Sequence, residues 1–565
     1  MPDRIAKKYP EALKVLLPTI KQQIEALKEN RFLERFNQRD VTLWSEDKEE
    51  QDEIAHRMAW LEAAEDSAAI LLAAQSLLQE VTTEGYTHAV VLGMGGSSLA
   101  PEVYGLFIEQ YGQKKGTGLT LSILDSTSPE QIIEKRNSLP MDKTLFIVSS
   151  KSGTTVEVMT LFAYFWQVVA EIEGDKTGRH FIAISDPETH LHKMAVEKGF
   201  RRIFEANPNV GGRYSALIAF GIVPAVLAGY DGKKLLEQST KYSDGKLAED
   251  DKAVELGVVL GAAYHAGRDK LTLLADEKCA PLGSWIEQLI AESSGKHGRG
   301  ILPVDKEPLQ TADAYSNDRI FVYLRADGSL DEKVKNMIAA GQPVYTCAMD
   351  DLYDLSAEFY RWEIAAALAC AIIDVNAFDQ PNVQESKDIA KQMINALKNG
   401  KSIDTGKAVF SDGRVSIFSK KKENEAFSTS QACMEDYLSQ GRKGDFIAIN
   451  AFIARNTENE KKLQALRAHL IKKISLPVTL GFGPRFLHST GQLHKGGKNN
   501  GLFIVISQDE EDELDIPGEG ISFNGLLFAQ ALGDTQALEK HQRRVLRIHF
   551  PANKFSKTDL TELLS

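Results

Sequence analysis

At 565 residues the chain has room for two to four domains, and 43% hydrophobic with 26% charged residues is the composition of an ordinary globular protein. A formal net charge of -13 excludes a general nucleic-acid binder, which carries a basic excess, and means that an acidic ligand must be met by specific Arg and Lys side chains. No run approaches ~18 apolar residues, so no membrane span is expected, and Met1–Lys8 has no signal-type apolar stretch. Cys279, Cys347, Cys370 and Cys433 form no CxxC pair and read as reduced thiols of a cytoplasmic protein, Cys370 as plain core.

Residues 1–50 read as a charged helical segment and 50–80 as one strong amphipathic helix ending near Gly85. Strand-like runs then alternate with helical stretches: His88–Gly93, Leu119–Leu124, Thr144–Ser149, Phe181–Ser185 and the shorter Arg202–Phe204. Such alternation implies a parallel, doubly wound sheet. Helices at Ser215–Gly229 and Ala253–Gly267 lead to a second cycle with strands Lys270–Ala275, Arg319–Leu324 and Pro343–Thr346 and a long apolar helix over about 355–373. The Gly400-Lys401 pair marks a boundary. Beyond it, strands at Val415–Phe418, Asp445–Ala451, Val478–Gly481, Leu502–Ile506 and Val545–Phe550 form a third α/β unit, expected to pack on the second. The domains are therefore 1–50, 51–232, 233–400 and 401–565, and the acidic run Gln508–Glu513 reads as a solvated loop.

The most informative segment is Ser150-Lys151-Ser152-Gly153-Thr154-Thr155, placed between the strand Thr144–Ser149 and a helix beginning near Glu157. Small hydroxyl residues and Gly at the start of a helix collect hydroxyls and free N–H groups where the dipole favours negative charge, and phosphate is the usual tenant. Gly93–Leu99 ends the first strand in the same way, with Gly96 for close approach and Ser97 for a hydroxyl. Its spacing is wrong for a dinucleotide fingerprint, since Ser98 takes the third glycine's place. Strands of one parallel sheet point their C-terminal ends to one side, so both loops can share a crevice. Gly211-Gly212-Arg213 allows a guanidinium to be set tightly against a ligand. Gln288 and Glu292 are four apart on one helix face, and Glu292 lies where that helix runs out. Lys387 follows Phe378-Asp379-Gln380-Pro381, one to two turns into the next helix.

These five segments, in this order, resemble the phosphoglucose isomerase family. Val210–Ser215 and Phe378-Asp379-Gln380…Val383…Lys387 resemble its two signatures, Ser150–Glu157 its sugar-phosphate loop, and the likeness covers roughly 50–395. The C-terminal part, including Gly481–Gly497, is similar to the isomerase half of bifunctional transaldolase/glucose-6-phosphate isomerases, here standing alone. The resemblance implies two doubly wound sugar-isomerase (SIS) domains with parallel sheets plus a C-terminal α/β extension. It implies interconversion of glucose 6-phosphate and fructose 6-phosphate through a cis-enediol(ate), with no cofactor and no metal. The phosphate site would be Ser97, Ser150, Ser152 and Thr155, with the backbone at Gly96 and Lys151, and Gly212 would be a further substrate-binding position. Glu292 falls on the base, Arg213 on the cation beside the reacting carbons, Lys387 and Gln380 near the ring oxygen and hydroxyls, and Glu157 and Gln288 on supporting positions.

Two departures stand out. Asn382 occupies a position where relatives usually have Gly, and the histidine that helps open the sugar ring is missing between Glu292 and Lys387, where only His297 occurs, too early. Two routes are open: Lys387 manages ring opening alone or through water, or a histidine enters from the C-terminal unit, His488 first and His494 second. Family members are often dimers with a site completed across the interface, so the chain is expected to be a homodimer, or a monomer if its extension supplies the histidine. Ser/Thr loops read an anion more than its central atom, which leaves mannose 6-phosphate or a C6-sulfonated sugar as alternative substrates. A non-catalytic sugar-phosphate regulator is the other alternative, and the presence of Glu292, Arg213 and Lys387 speaks against it.

Overall fold

The computed structural model describes residues 1–112, 118–241, 246–400, 403–420 and 426–564. The first sheet is β1 (His88–Gly93), β2 (Thr120–Leu124), β3 (Thr144–Ser149), β4 (Phe181–Ser185) and β5 (Arg202–Glu205). All pair in parallel in the order β2-β1-β3-β4-β5. β3 is buried along its whole length and β1 in all but its first residue, as expected of strands covered on both faces. The second sheet, β6 (Lys270–Ala275), β7 (Leu302–Val304), β8 (Arg319–Arg325) and β9 (Val344–Ala348), is also parallel, in the order β7-β6-β8-β9. β7 is absent from the sequence reading because three residues centred on Pro303 carry neither alternation nor length. The fold is α/β with parallel sheets in both of these units.

The third sheet is mixed. It contains β10 (Phe410–Ser411), β11 (Ser416–Phe418), β12 (Phe446–Phe452), β13 (Val478–Phe482), β14 (Gly501–Gln508) and β15 (Arg544–Phe550), in the order β10-β11-β15-β14-β12-β13. β10 and β11 run antiparallel at one edge, and the remaining strands pair in parallel. Lys401, at the expected boundary, lies outside the described residues.

Two expectations change. The segment 50–80 is not one helix: Lys48–Ala55 stops, Ala59–Glu62 forms a short 3-10 turn, and a second helix runs Ala63–Thr83. The break is held by tertiary bonding. Met58 bridges Val210 and the Ala59 N–H donates to the Asn209 carbonyl, so the interruption braces the loop that precedes Arg213. The third unit packs on both other units and not on the second alone. It reaches the first through Thr127–Gln530 (2.7 Å) and Asp125–Arg485 (2.6 Å). It reaches the second through Gly295–Gln492 (2.9 Å) and Asp269–Lys498 (2.8 Å). The acidic run is mostly exposed, with Glu510 half-buried. All four cysteines are buried, and among the described residues no helix is long and apolar enough to cross a membrane.

Candidate active site

The two loops expected to hold an anion are brought together by sheet register. Gly93 pairs with Ser149, so the two loops leave adjacent parallel strands side by side. The 18-residue helix Val156–Glu173 follows the second loop and aims its N-terminus, with Thr155 at the cap, into the space between them. Within the loop the Ser150 hydroxyl lies 2.9 Å from that of Thr155 and accepts from the Gly153 N–H at 3.1 Å. Ser152 is exposed, and the Ser97 hydroxyl has no hydrogen-bond partner among the described residues. The Lys151 ammonium donates to Asp186 at 2.6 Å, and the Lys151 carbonyl accepts from the Asp186 N–H at 3.3 Å.

Close backbone packing brings the other segments to this point. A Cβ on Gly96 would sit 1.9 Å from the Gly212 carbonyl oxygen, and one on Gly95 would sit 2.9 Å from both the His488 carbonyl oxygen and Gln288 Nε2. Only glycine permits such approaches. Thus the loops after β1 and β5, the helix Leu282–Ser294 and the turn Arg485–His488 of the third unit meet around Gly95-Gly96.

Arg213 is 3% exposed and almost fully engaged. Its Nε donates to Ser293 Oγ (2.9 Å), Nη1 to Gln380 Oε1 (3.1 Å), and Nη2 to the carbonyls of Ala377 (2.6 Å) and Asp379 (2.9 Å). Beneath it Tyr214 stacks on Trp60 at 5.0 Å and packs on Phe378 at 5.4 Å, an aromatic floor that fixes the loop. The carboxylate of Glu292 lies 3.7 Å from Arg213 Nη1. Burial raises the pKa of Glu292 above the usual carboxylate value; Arg213, His488, Lys387 and Lys296 only partly offset it. Gln288 Nε2 lies 3.3 Å from Glu292 Oε2 and donates to the His488 carbonyl at 2.8 Å.

His488 Nε2 sits 3.1 Å from Glu157 Oε1, which also accepts from Gln530 Nε2 at 2.8 Å, while Gln530 Oε1 accepts from the Thr127 hydroxyl at 2.7 Å. Burial works to raise the pKa of Glu157, but the His488 ring and the nearby Lys387 charge outweigh it and hold the carboxylate ionised. Arg485, three residues before His488, is clamped to Asp125 and Glu102 of the first unit, and Glu102 is shared with Arg455. Burial alone would raise the pKa of Glu102; the two guanidinium groups hold it far below the carboxylate range.

The structure thus brings Gly96, Ser97, Ser150, Thr155, Glu157, Gly212, Arg213, Gln288, Glu292, Gln380 and His488 together, while Ser152 is exposed on its loop and contacts only Thr154 among the described residues. Lys387 is exposed near this crevice, its charge lowering the pKa of both Glu157 and Glu292. His494 is not part of the crevice. It is buried among Phe446, Phe486 and Phe503, with burial pressing its pKa well below the usual histidine value, and is a core residue. His297 is exposed in a left-handed turn. Asn382 pairs twice with the Gln492 amide, each bond 2.9 Å, and so ties the start of the helix Val383–Lys398 to the third unit.

Sequence reasoning misses Lys296, Gln530 and Thr127. Lys296 is fully buried beside Asp379 at 2.6 Å, and burial, with Arg213 nearby, pushes its pKa down to about 8. Its one signal is a lysine just past an apolar helix. Gln530 and Thr127 are 403 residues apart, and no spacing rule links them.

Parallel sheets in two successive units, with hydroxyl-rich loops at strand ends near a buried carboxylate and guanidinium, define an α/β protein of the sugar-isomerase fold. Residues 74–302 of the chain match the family model described as phosphoglucose isomerase. The chain is 27% identical over 372 residues to the glucose-6-phosphate isomerase of Campylobacter jejuni, an alignment covering 56% of this chain and 88% of that protein. It is 26% identical over 377 residues to a probable glucose-6-phosphate isomerase of Methanococcus maripaludis, covering 58% and 84%. Among solved structures, a hypothetical protein of Thermus thermophilus superposes with a TM-score of 0.56 at 23% identity, over 67% of this chain and 97% of that one.

Proposed function

We propose that the chain is a glucose-6-phosphate isomerase, interconverting glucose 6-phosphate and fructose 6-phosphate by proton transfer through a cis-enediol(ate). The observation that carries this reading is the buried Glu292 carboxylate 3.7 Å from Arg213, on the far side of a crevice whose other wall is the Ser150–Thr155 loop. The relatives named above lend the substrate. The sugar's phosphate is held by Ser97, Ser150, Ser152 and Thr155, the backbone of Gly96 and Lys151, and the helix N-terminus. This remote binding fixes the reacting carbons.

Glu292 takes the proton from C2 and returns it to C1. A carboxylate with a pKa raised by burial is the stronger base for that task. Negative charge developing on the enediolate oxygen is met by Arg213, whose orientation is set before substrate arrives by Ser293, Gln380 and two carbonyls. His488, oriented by Glu157, and Lys387 lie toward the sugar's ring oxygen and assist ring opening; Gln288 holds Glu292 and the His488 backbone, and Gln380 holds Arg213. Because His488 comes from the same chain, this reading asks for no second subunit in the site.

The test is a coupled assay on the purified full chain with fructose 6-phosphate, glucose 6-phosphate, mannose 6-phosphate and a C6-sulfonated sugar side by side. The reading expects kcat/KM to be highest for the fructose and glucose 6-phosphates. A higher value for either other sugar would move the substrate assignment, and no turnover of any of them would overturn the enzymatic reading.

A further inference from the structure

A cavity of about 570 Å³ lies outside the crevice, between β15, β11 and the paired helices Val383–Lys398 and Phe523–Lys540. That volume is within the ~300–1,000 Å³ of small-molecule sites. Arg547 is set in its wall. On β15, between β11 and β14, an apolar residue would be expected, yet a guanidinium stands there and is only 4% exposed. Among the described residues it has no carboxylate within ion-pair distance. Its Nη2 donates to the Thr405 carbonyl at 2.5 Å, and its planar face lies 3.7 Å from the centre of the Phe418 ring. Burial pushes its pKa down to about 10, with Glu539 only partly opposing, the mark of a charge whose compensation is incomplete.

A buried charge whose compensation is incomplete is costly, and in a packed core it would be selected against. Facing a cavity, it can be completed by an anion. The stacking on Phe418 and the bond to Thr405 leave the guanidinium fixed with donors to spare, the arrangement suited to two-pronged contact with phosphate. The rest of the lining agrees in sign. Lys407, Lys420 and Lys540 accompany Arg547, against the carboxylates Asp404 and Glu539, with Thr535 and Ser419 offering hydroxyls. Lys420 is loosely paired with Glu539 at 3.8 Å and Lys540 with Glu385 at 2.5 Å, so both are placed at the mouth rather than free to wander.

We propose that this cavity is a second anion site, binding a small phosphate-bearing metabolite through Arg547 at its base and Lys407, Lys420 and Lys540 at its mouth. It shares no residue with the crevice. Its walls nevertheless belong to the two helices that carry Lys387 and Gln530, through Ile389 on one and Thr535 and Gln536 on the other.

The experiment is calorimetric titration of inorganic pyrophosphate into the full chain carrying Ser97→Ala and Ser152→Ala, which removes two hydroxyls of the first anion site. The expected result is one remaining site, weakened at least tenfold when Arg547→Gln is added. Lys407→Gln with Lys420→Gln, both at exposed positions and so folding independently of the cavity, is expected to weaken it about threefold and to flatten its salt dependence. Absence of pyrophosphate binding in the parent variant overturns the proposal. So does an affinity unchanged by both Arg547→Gln and the lysine pair.

Discussion

The two ends of the crevice are built on opposite principles. The proposed anion end is local: one stretch of six residues and the neighbouring loop, neutral hydroxyls and N–H groups, and a helix terminus, all set by the pairing of Gly93 with Ser149. The proposed proton-transfer end is assembled from distant parts of the chain, with Arg213 and Glu292 buried, His488 half-buried and Gln380 exposed. Binding an anion with partial charges costs little when the site is empty. Holding a carboxylate and a guanidinium out of water requires a surrounding scaffold, and here three units contribute to it.

The contrast can be tested by damaging the two ends separately. The largest loss is expected from Glu102→Gln. It leaves Arg455 and Arg485 facing each other without their shared carboxylate, and since breaking a fully buried ion pair costs about 3–5 kcal/mol, this partly buried one is expected to cost up to about 3 kcal/mol. Denaturant unfolding should show that loss, and turnover should fall with it because the turn carrying His488 loses its anchor. Next is Arg213→Gln, expected to lower kcat by about 10²–10³-fold by removing a preorganised donor. The sign of its pH effect also follows. Glu292 must be ionised to accept a proton, so activity is lost as pH falls through its raised pKa. Arg213 lowers that pKa, so its removal should shift the acid limb of the pH profile upward; Arg213→Lys should keep the limb near its original place. Smallest is Ser152→Ala at the anion end, where an exposed hydroxyl is worth about 0.5–1.5 kcal/mol, read as a rise in KM with kcat nearly unchanged.

The same division decides what can be read from the chain alone. Ser150–Thr155 and Gly93–Leu99 are legible because strand, turn chemistry and helix start occur within a dozen residues, and register in a parallel sheet does the rest. Glu292 and Arg213 are legible only through the resemblance of their segments, since an isolated helical Glu or loop Arg is usually solvated. His488 and His494 are six residues apart in similar surroundings. One faces Glu157 while the other enters an aromatic core, a choice fixed by the Arg485 clamp and by the packing of Phe446 and Phe503, which no local pattern reveals. The helix break at 56–62 escapes the sequence for the same reason: the amphipathic period is real, but bonding to Asn209 and Val210 outweighs it. The short strands β7 and β10 fall below the length at which a pattern exists.

The central claim is that Glu292 moves the proton. It is tested most directly by following deuterium incorporation at C1 of fructose 6-phosphate in D2O with the wild-type chain and with Glu292→Gln, alongside fructose 6-phosphate binding by calorimetry. The account predicts exchange by the wild type, loss of at least ~10²-fold in that rate in the variant, and unchanged binding because the anion end is intact. Exchange by Glu292→Gln at the wild-type rate would contradict it.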